Sequence, residues 1–276
     1  MYSEKLNISF PKTLYKYRYW ENFEHKKMLT DNELFFTSPK KFNDPFDINI
    51  PFRFDKLSSE EFYNYLEKYF DNETDKILVN ETDKIKIKEV ISGTDLNKIE
   101  PFIHLLSEIQ YNAVCDIFGI FSLASKRDNI LMWSHYSNCH QGFCIGFDFS
   151  KLEGNIIAQQ KRIGFKFSTV QMQYKENYPE LILSNGNINL QNLLALLSIK
   201  SILWKYEEEF RIISTNKNDF SINVDSNIVS EIILGLRMPS NHKKEIINIA
   251  SKKFPHAKIY QAKKSIDGFK LELELV

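Results

Sequence analysis

Three short segments of this sequence carry side chains that can do chemistry at close spacing. The first is Trp204-Lys-Tyr-Glu-Glu-Glu-Phe-Arg-Ile-Ile213. If it enters a strand near Tyr206, then Glu207, Glu209 and Arg211 project to one face while Glu208, Phe210 and Ile212 project to the other. Two carboxylates two residues apart on one strand face repel each other, a cost that suits a catalytic acid pair. The plainer alternative is an exposed strand end whose acids are neutralised by Arg211 and Lys205. The second segment is Phe121-Ser-Leu-Ala-Ser125, an apolar strand ending in two serines. Ser122, facing a cleft, could orient a carboxylate or bond a sugar hydroxyl, or it could simply terminate the strand. The third is Lys16-Tyr-Arg18, where Arg18 suits bidentate phosphate or ribose contacts and Lys16 supplies a point charge. Its structural alternative is an edge strand protected by charge.

His135, Cys139, His140 and Cys144 invite a zinc reading. His140 follows Cys139 directly and Cys144 lies in an apolar strand, so four ligands do not converge and no metal is expected. Neither G-x-x-x-x-G-K-[ST] nor G-x-G-x-x-G occurs, and neither G-x-S-x-G nor H-E-x-x-H does. Any site must be assembled from dispersed residues. Asp44, Glu207 and Glu209 are the acids that a metal-dependent nuclease would use, and a non-enzymatic binding module with an aromatic cleft is a third possibility.

These residues need elements to hold them. Thr13 to Trp20 alternates like a strand, with Tyr15 and Tyr17 on one side and Lys16 and Arg18 on the other. A helix is expected over Glu21 to Leu29, a strand over Glu33 to Thr37, and a loop over Lys41 to Phe46, with Asn43-Asp44-Pro45 as a structural turn. Ser58-Ser59-Glu60-Glu61 opens a helix, and further helical patterns fall around Thr82 to Ile91 and Asp95 to Cys115. Residues 56–115 thus read as a helical insertion, either a lid or a structural elaboration. Beyond it, strands are expected over Ile117 to Ala124, Gly142 to Phe149, Ile163 to Tyr174, Phe210 to Ser214, Ile228 to Leu234, Ala257 to Gln261 and Lys270 to Leu275. Helices are expected over Ile130 to Tyr136, Ile188 to Ile202 and Asn241 to Lys253. The class is α+β, one domain over residues 1–276.

Composition sets the outer bounds. Among 276 residues, 36 Lys and Arg balance 36 Asp and Glu, which excludes broad phosphate neutralisation and leaves a polynucleotide only a local patch to grip. Twenty-two Phe and 13 Tyr against 9 Gly and 8 Pro favour packed β structure with clefts. Three cysteines are too few for a secreted disulfide framework, and no apolar leader or membrane-length apolar run is present, so the expected compartment is the cytoplasm, with no membrane partner.

Taken together, Leu14-Tyr-Lys-Tyr-Arg18, Phe36-Thr-Ser-Pro-Lys-Lys-Phe-Asn-Asp-Pro-Phe46, Met132-Trp-Ser-His-Tyr-Ser137 with Gly142-Phe143, and Trp204-Lys-Tyr-Glu-Glu-Glu-Phe-Arg211 resemble the bacterial family known as domain of unknown function 2971. That resemblance spans roughly Leu14 to Gly235; it implies no activity, and phage defence is a context of some members. More distantly, the order of a basic first strand, a Phe-Ser-x-x-Ser strand end and Glu-x-Glu resembles the ADP-ribosyltransferase superfamily of the Arg-Ser-Glu type. This second resemblance implies a split β-sheet core with the helical insertion added, and NAD as substrate. Arg18 matches the first position, with Lys16 and Tyr17 as alternative anchors; Ser122 matches the second, and Glu209 the third with Glu207 leading the pair. Leu123-Ala124 departs from the usual hydroxyl-bearing pattern. The implied roles are Glu209 on the ribose 2′-hydroxyl, Ser122 on the ribose and the carboxylate, Arg18 and Lys16 on the phosphates, and Tyr17, Trp133 or Tyr136 against nicotinamide. Glu207 would serve the acceptor, a protein or nucleic acid, and an antitoxin is a candidate partner of such a toxin or defence effector.

Overall fold

The computed structural model describes residues 10–58, 60–62, 100–181, 190–215 and 217–276. The chain forms two compact units. The first comprises Met1–Thr37, Gly119–Met172 and Leu203–Val276, and the second Ser38–Phe118 and Gln173–Ile202. In chain order the strands are β1 (Thr13–Arg18), β2 (Glu33–Phe36), β3 (Gly119–Ala124), β4 (Phe143–Asp148), β5 (Phe167–Gln171), β6 (Gln173–Lys175), β7 (Ile199–Ser201), β8 (Glu209–Ser214), β9 (Phe220–Asn223), β10 (Val229–Leu234), β11 (Lys258–Lys264) and β12 (Leu271–Leu275). The helices are α1 (Phe23–Thr30), α2 (Glu100–Ile117), α3 (Ile130–Tyr136), α4 (Phe149–Ile163), α5 (Leu190–Ser198) and α6 (Ser240–Lys253).

The first unit is built on an eight-stranded sheet of order β12-β11-β10-β4-β1-β3-β8-β5, antiparallel except for the β10–β11 pair. Alternation along β1 and β4 explains why both faces are covered. Leu14, Phe143, Ile145 and Phe147 join Phe121, Leu123, Phe210 and Ile212 in one core. Tyr15, Tyr17, Cys144 and Ile233 turn the other way and pack with Ala124, Met132 and Trp133. The class is therefore mixed α+β, with strands dominating this unit.

The 56–115 segment falls in the second unit and is described only in part, and the helix expected around Thr82 to Ile91 lies outside the described residues. Its described start is a reciprocal cap. Ser58 N donates to Glu61 Oε2 at 2.8 Å while Glu61 N donates to Ser58 Oγ at 3.2 Å.

Three elements differ from the sequence reading. The helix expected over Ile188 to Ile202 ends at Ser198, and the next three residues form β7, paired in parallel with β6. The strand expected over Ile163 to Tyr174 is preceded by a fifteen-residue helix, α4, and shortens to β5 and β6. The helix has recognisable ends: Asp148 Oδ1 accepts from Lys151 N at 3.2 Å, and Gly164 closes it at φ 76°. Phe149, Leu152 and Ile156 bury one stripe at helical spacing. Gly154 and the polar remainder hide that pattern from a strand-oriented reading. Strand β9, Phe-Ser-Ile-Asn, pairs with β2, and its alternation is too brief to register without that partner.

Gly142 N donates to Ser137 O at 2.8 Å and its carbonyl accepts from Gly235 N at 2.9 Å. A Cβ on Gly142 would lie 2.1 Å from the Arg18 carbonyl, whereas one on Gly154, inside α4, meets nothing within 4 Å. Urea unfolding should therefore show Gly142→Ala losing about 1–3 kcal/mol or more. Gly154→Ala should gain about 0.5–1 kcal/mol by removing the backbone entropy of a helical glycine.

Candidate functional site

The site lies where two neighbouring strands part. β1 and β4 share six partner pairs and β3 and β8 share six, but β1 and β3 meet only at Tyr15↔Ala124. At its other end β3 turns the same edge to Thr37: Ile120 N donates to Thr37 O at 2.8 Å and Thr37 N to Ile120 O at 3.1 Å. Ser122 stands between those two contacts. The Ser122 carbonyl instead accepts from Lys16 Nζ, whose ammonium also lies 4.9 Å from the centre of the Phe121 ring.

The charges around this gap form one electrostatic group. Burial pulls the Lys16 ammonium well below its ordinary pKa, Arg18 and Arg211 push it the same way, and Glu209 and Glu207 oppose them. Arg18 donates to the Tyr17 carbonyl at 3.2 Å, and burial brings its pKa down to about 10.

On the facing strand, Arg211 sits opposite Ser122 and Glu209 opposite Ala124. Ser122 and Glu209 are thus diagonal neighbours on one sheet face, a relation that spans about 7–8 Å. Glu209 is 5% exposed and Arg211 0%. The guanidinium grips the carboxylate twice, Nε to Oε1 at 2.8 Å and Nη2 to Oε2 at 3.1 Å.

Glu207 does not continue this strand. It ends a 3-10 helix, Ile202–Glu207, and Glu208 follows with φ 43° before β8 starts at Glu209. The expected alternation of Glu207, Glu209 and Arg211 along one strand is corrected here: Glu209 and Arg211 share a face, while Glu207 is carried off by the turn and accepts from the Tyr136 hydroxyl. A left-handed conformation at a residue with a Cβ costs about 1–2 kcal/mol. Side-chain bonds offset that cost. Ser125 Oγ donates to Glu208 Oε2 at 2.5 Å, Lys126 Nζ pairs with Oε1, Ser125 N donates to Glu208 O at 3.2 Å, and Asn129 Nδ2 donates to Tyr206 O at 2.7 Å.

Of the eight residues singled out by the sequence, Ser122 and Glu209 share one sheet face at this gap, Lys16 reaches it from the other face, which it shares with Arg18, and Tyr136 holds Glu207. Tyr17 and Trp133 do not serve as expected. They are 2% and 0% exposed, meet edge to face at 5.2 Å, and spend their polar atoms on the Lys126 and Arg127 carbonyls. Their rings face protein because β1 alternation turns Tyr17 into the core beneath α3, so neither has a face open to nicotinamide. Arg211, Ser125 and Lys126 were not singled out as site residues. The two-residue spacing from Glu209 was the available signal for Arg211; nothing local announces that Ser125 and Lys126 meet Glu208, 83 positions from Ser125.

Among the described residues no group of three or more His, Cys, Asp or Glu side chains could hold a metal ion. Asp44, the third acid of the nuclease alternative, belongs to the second unit, where its Oδ1 accepts from Phe46 N at 2.9 Å. No described helix is long and apolar enough to cross a membrane.

The model of a family described as protein of unknown function (DUF2971) matches residues 132–212. Over this segment the chain is similar to that family. The matched stretch runs from α3 to β8 and so takes in Tyr136, Glu207, Glu209 and Arg211, supporting the resemblance carried by the Trp133 and Trp204 motifs. No curated protein and no solved structure matches the chain.

Two outcomes follow from these charges. Arg211→Met would leave Glu209 buried without its guanidinium, and urea unfolding should show a loss of about 3–5 kcal/mol. His25 Nδ1 accepts from Tyr19 N at 3.3 Å; burial, reinforced by Arg18, lowers its pKa from 6.5 to about 4. A folded pKa below the unfolded one means the unfolded chain binds the extra proton, so this contribution is complete above about 6.5 and is lost as pH falls toward 4. Stability measured against pH should fall less steeply across that window in His25→Asn than in the unaltered protein.

Proposed function

We propose that this chain consumes NAD, as an ADP-ribosyltransferase or NAD glycohydrolase working at the gap between β1 and β3. The observation that carries the reading is the Lys16 ammonium on the Ser122 carbonyl, at the point where neighbouring strands separate and within electrostatic range of the Glu209 and Glu207 carboxylates. Cations on β1 and acids at the entry to β8, with β3 between them, match the two ends of the task. Lys16 and Arg18 bind the pyrophosphate, and Ser122 contacts the ribose. Glu209 accepts from the ribose 2′-hydroxyl, a bond that strengthens as the C1′–nitrogen bond breaks, nicotinamide leaves with the electron pair and positive charge spreads over the sugar. Both Glu209 oxygens face Arg211, which holds the carboxylate in its charged, accepting form.

Glu207, held by the Tyr136 hydroxyl, orients or deprotonates the nucleophile that attacks C1′ from the opposite side. That nucleophile is water in a glycohydrolase and a group on a protein or nucleic acid in a transferase. The resemblance to domain of unknown function 2971, some members of which occur in phage-defence settings, fits a cytoplasmic toxin or phage-defence effector, with an antitoxin as the partner that would restrain it.

Purified protein incubated with NAD, with and without cell lysate, should release nicotinamide, measured by chromatography. Glu209→Gln should lower the rate by about 100-fold or more, and Arg18→Ala should chiefly raise KM. Absence of nicotinamide release from the unaltered protein under both conditions would overturn the reading.

A further inference from the structure

The second serine of the Phe121-Ser-Leu-Ala-Ser125 strand end has no part in the chemistry above, yet it makes one of the most specific contacts in the first unit. We propose that Ser125 and Lys126 are positioning residues: by holding Glu208 in its left-handed turn they determine where the Glu207 and Glu209 carboxylates point. The inference rests on the NAD reading for its functional consequence, while its geometric content stands without it.

Glu208 is the hinge between two differently built segments. The 3-10 helix ending at Glu207 delivers that carboxylate to Tyr136, and β8 delivers Glu209 to Arg211. An extended residue at 208 would place both carboxylates on one strand face, where Arg211 could not serve both in the same way. The turn at φ 43° separates them. Glu208 has no cheap route to that conformation through its own residue type, since glycine and asparagine are the usual occupants. It is held from outside by the Ser125 hydroxyl on Oε2, the Lys126 ammonium on Oε1 and the Ser125 amide on the main-chain carbonyl. Asn129 secures Tyr206 one turn earlier.

The same loop is anchored in the opposite direction. The Tyr17 hydroxyl donates to the Lys126 carbonyl at 2.7 Å, the Trp133 indole to the Arg127 carbonyl at 2.9 Å, and Arg127 pairs with Glu231, which also accepts from Tyr15 at 2.6 Å. The clamp is therefore mounted on β1, α3 and β10, elements whose core packing does not depend on Glu208. Burial raises the Glu208 pKa, but the bonds from Lys126 and Ser125 and the Lys126 charge outweigh it and leave the pKa lowered, as a carboxylate held in its charged form requires.

Glu208→Gly separates positioning from stability. Glycine adopts the left-handed turn without a Cβ penalty, so the thermal midpoint should hold or rise, while both side-chain bonds disappear. The expected result is a fall in kcat for nicotinamide release of roughly tenfold or more, with KM for NAD changed less than about twofold, because the pyrophosphate cations are untouched. Ser125→Ala and Lys126→Ala should each show a smaller fall of the same kind. Glu208→Gly retaining full kcat would overturn the proposal. The unaltered protein releasing no nicotinamide would defeat the NAD reading alone. The clamp is then decided by carbon-13 carboxyl titration of Glu207 and Glu209: shifted titration midpoints in Glu208→Gly support it, and midpoints identical to those of the unaltered protein overturn it.

Discussion

A guanidinium removed from water must be matched by a carboxylate, and in this protein that requirement falls on β8, one strand in from the edge of the main sheet. Arg211 has no solvent contact and is met by Glu209 two residues earlier on the same strand. Leaving either alone would strand a buried charge without its counter-ion. Around this pair the first unit assembles its remaining polar groups: Ser122 opposite Arg211, Lys16 in the gap beside Ser122, Glu207 against Tyr136. Each is placed where a neighbouring charge or dipole compensates it, and the result is a compact cluster of both signs inside an otherwise apolar unit.

The parting of β1 from β3 is what lets Lys16 reach that cluster. Continuous pairing would use the Ser122 edge in the ladder. Instead β3 divides that edge between Thr37 and Tyr15, and a lysine side chain reaches the carbonyl in between. Such an arrangement needs both neighbours to be rigid. β1 is held by its six pairs to β4 and β3 by its six pairs to β8, so the local loss of ladder hydrogen bonds does not spread.

Much of the architecture was legible in the sequence because its signals are local. The strand pattern of Thr13 to Arg18, with tyrosines and cations on opposite sides, reappears with that assignment of faces; α3 runs over Ile130–Tyr136 as expected; the Ser58 and Glu61 cap forms. α4 was missed although its caps and its Phe149, Leu152 and Ile156 stripe were available, because Gly154 and many polar residues make the run as a whole resemble a loop. The site was legible as residue types and only partly as geometry. Tyr17 and Trp133 looked like ligand-facing aromatics, but hydrophobic burial claims both. Glu207 looked like a strand residue because the Glu-x-Glu spacing implies alternation, and a single positive φ at Glu208 breaks that implication.

What the sequence by itself determined is the set of alternating faces, the caps, the balanced charge of 36 against 36, and the short motifs in which the acids and cations lie. Those properties depend on residues a few positions apart, so periodicity and capping chemistry reveal them. Only the tertiary structure decided that Lys16 reaches Ser122, 106 positions away, that Arg211 rather than Lys205 holds Glu209, and that Ser125 and Lys126 take hold of Glu208. The reason is physical. A side chain's usual partner is whichever compensating group packing brings within hydrogen-bond reach, and across a sheet that group is set by strand order and register, which no local stretch of sequence encodes.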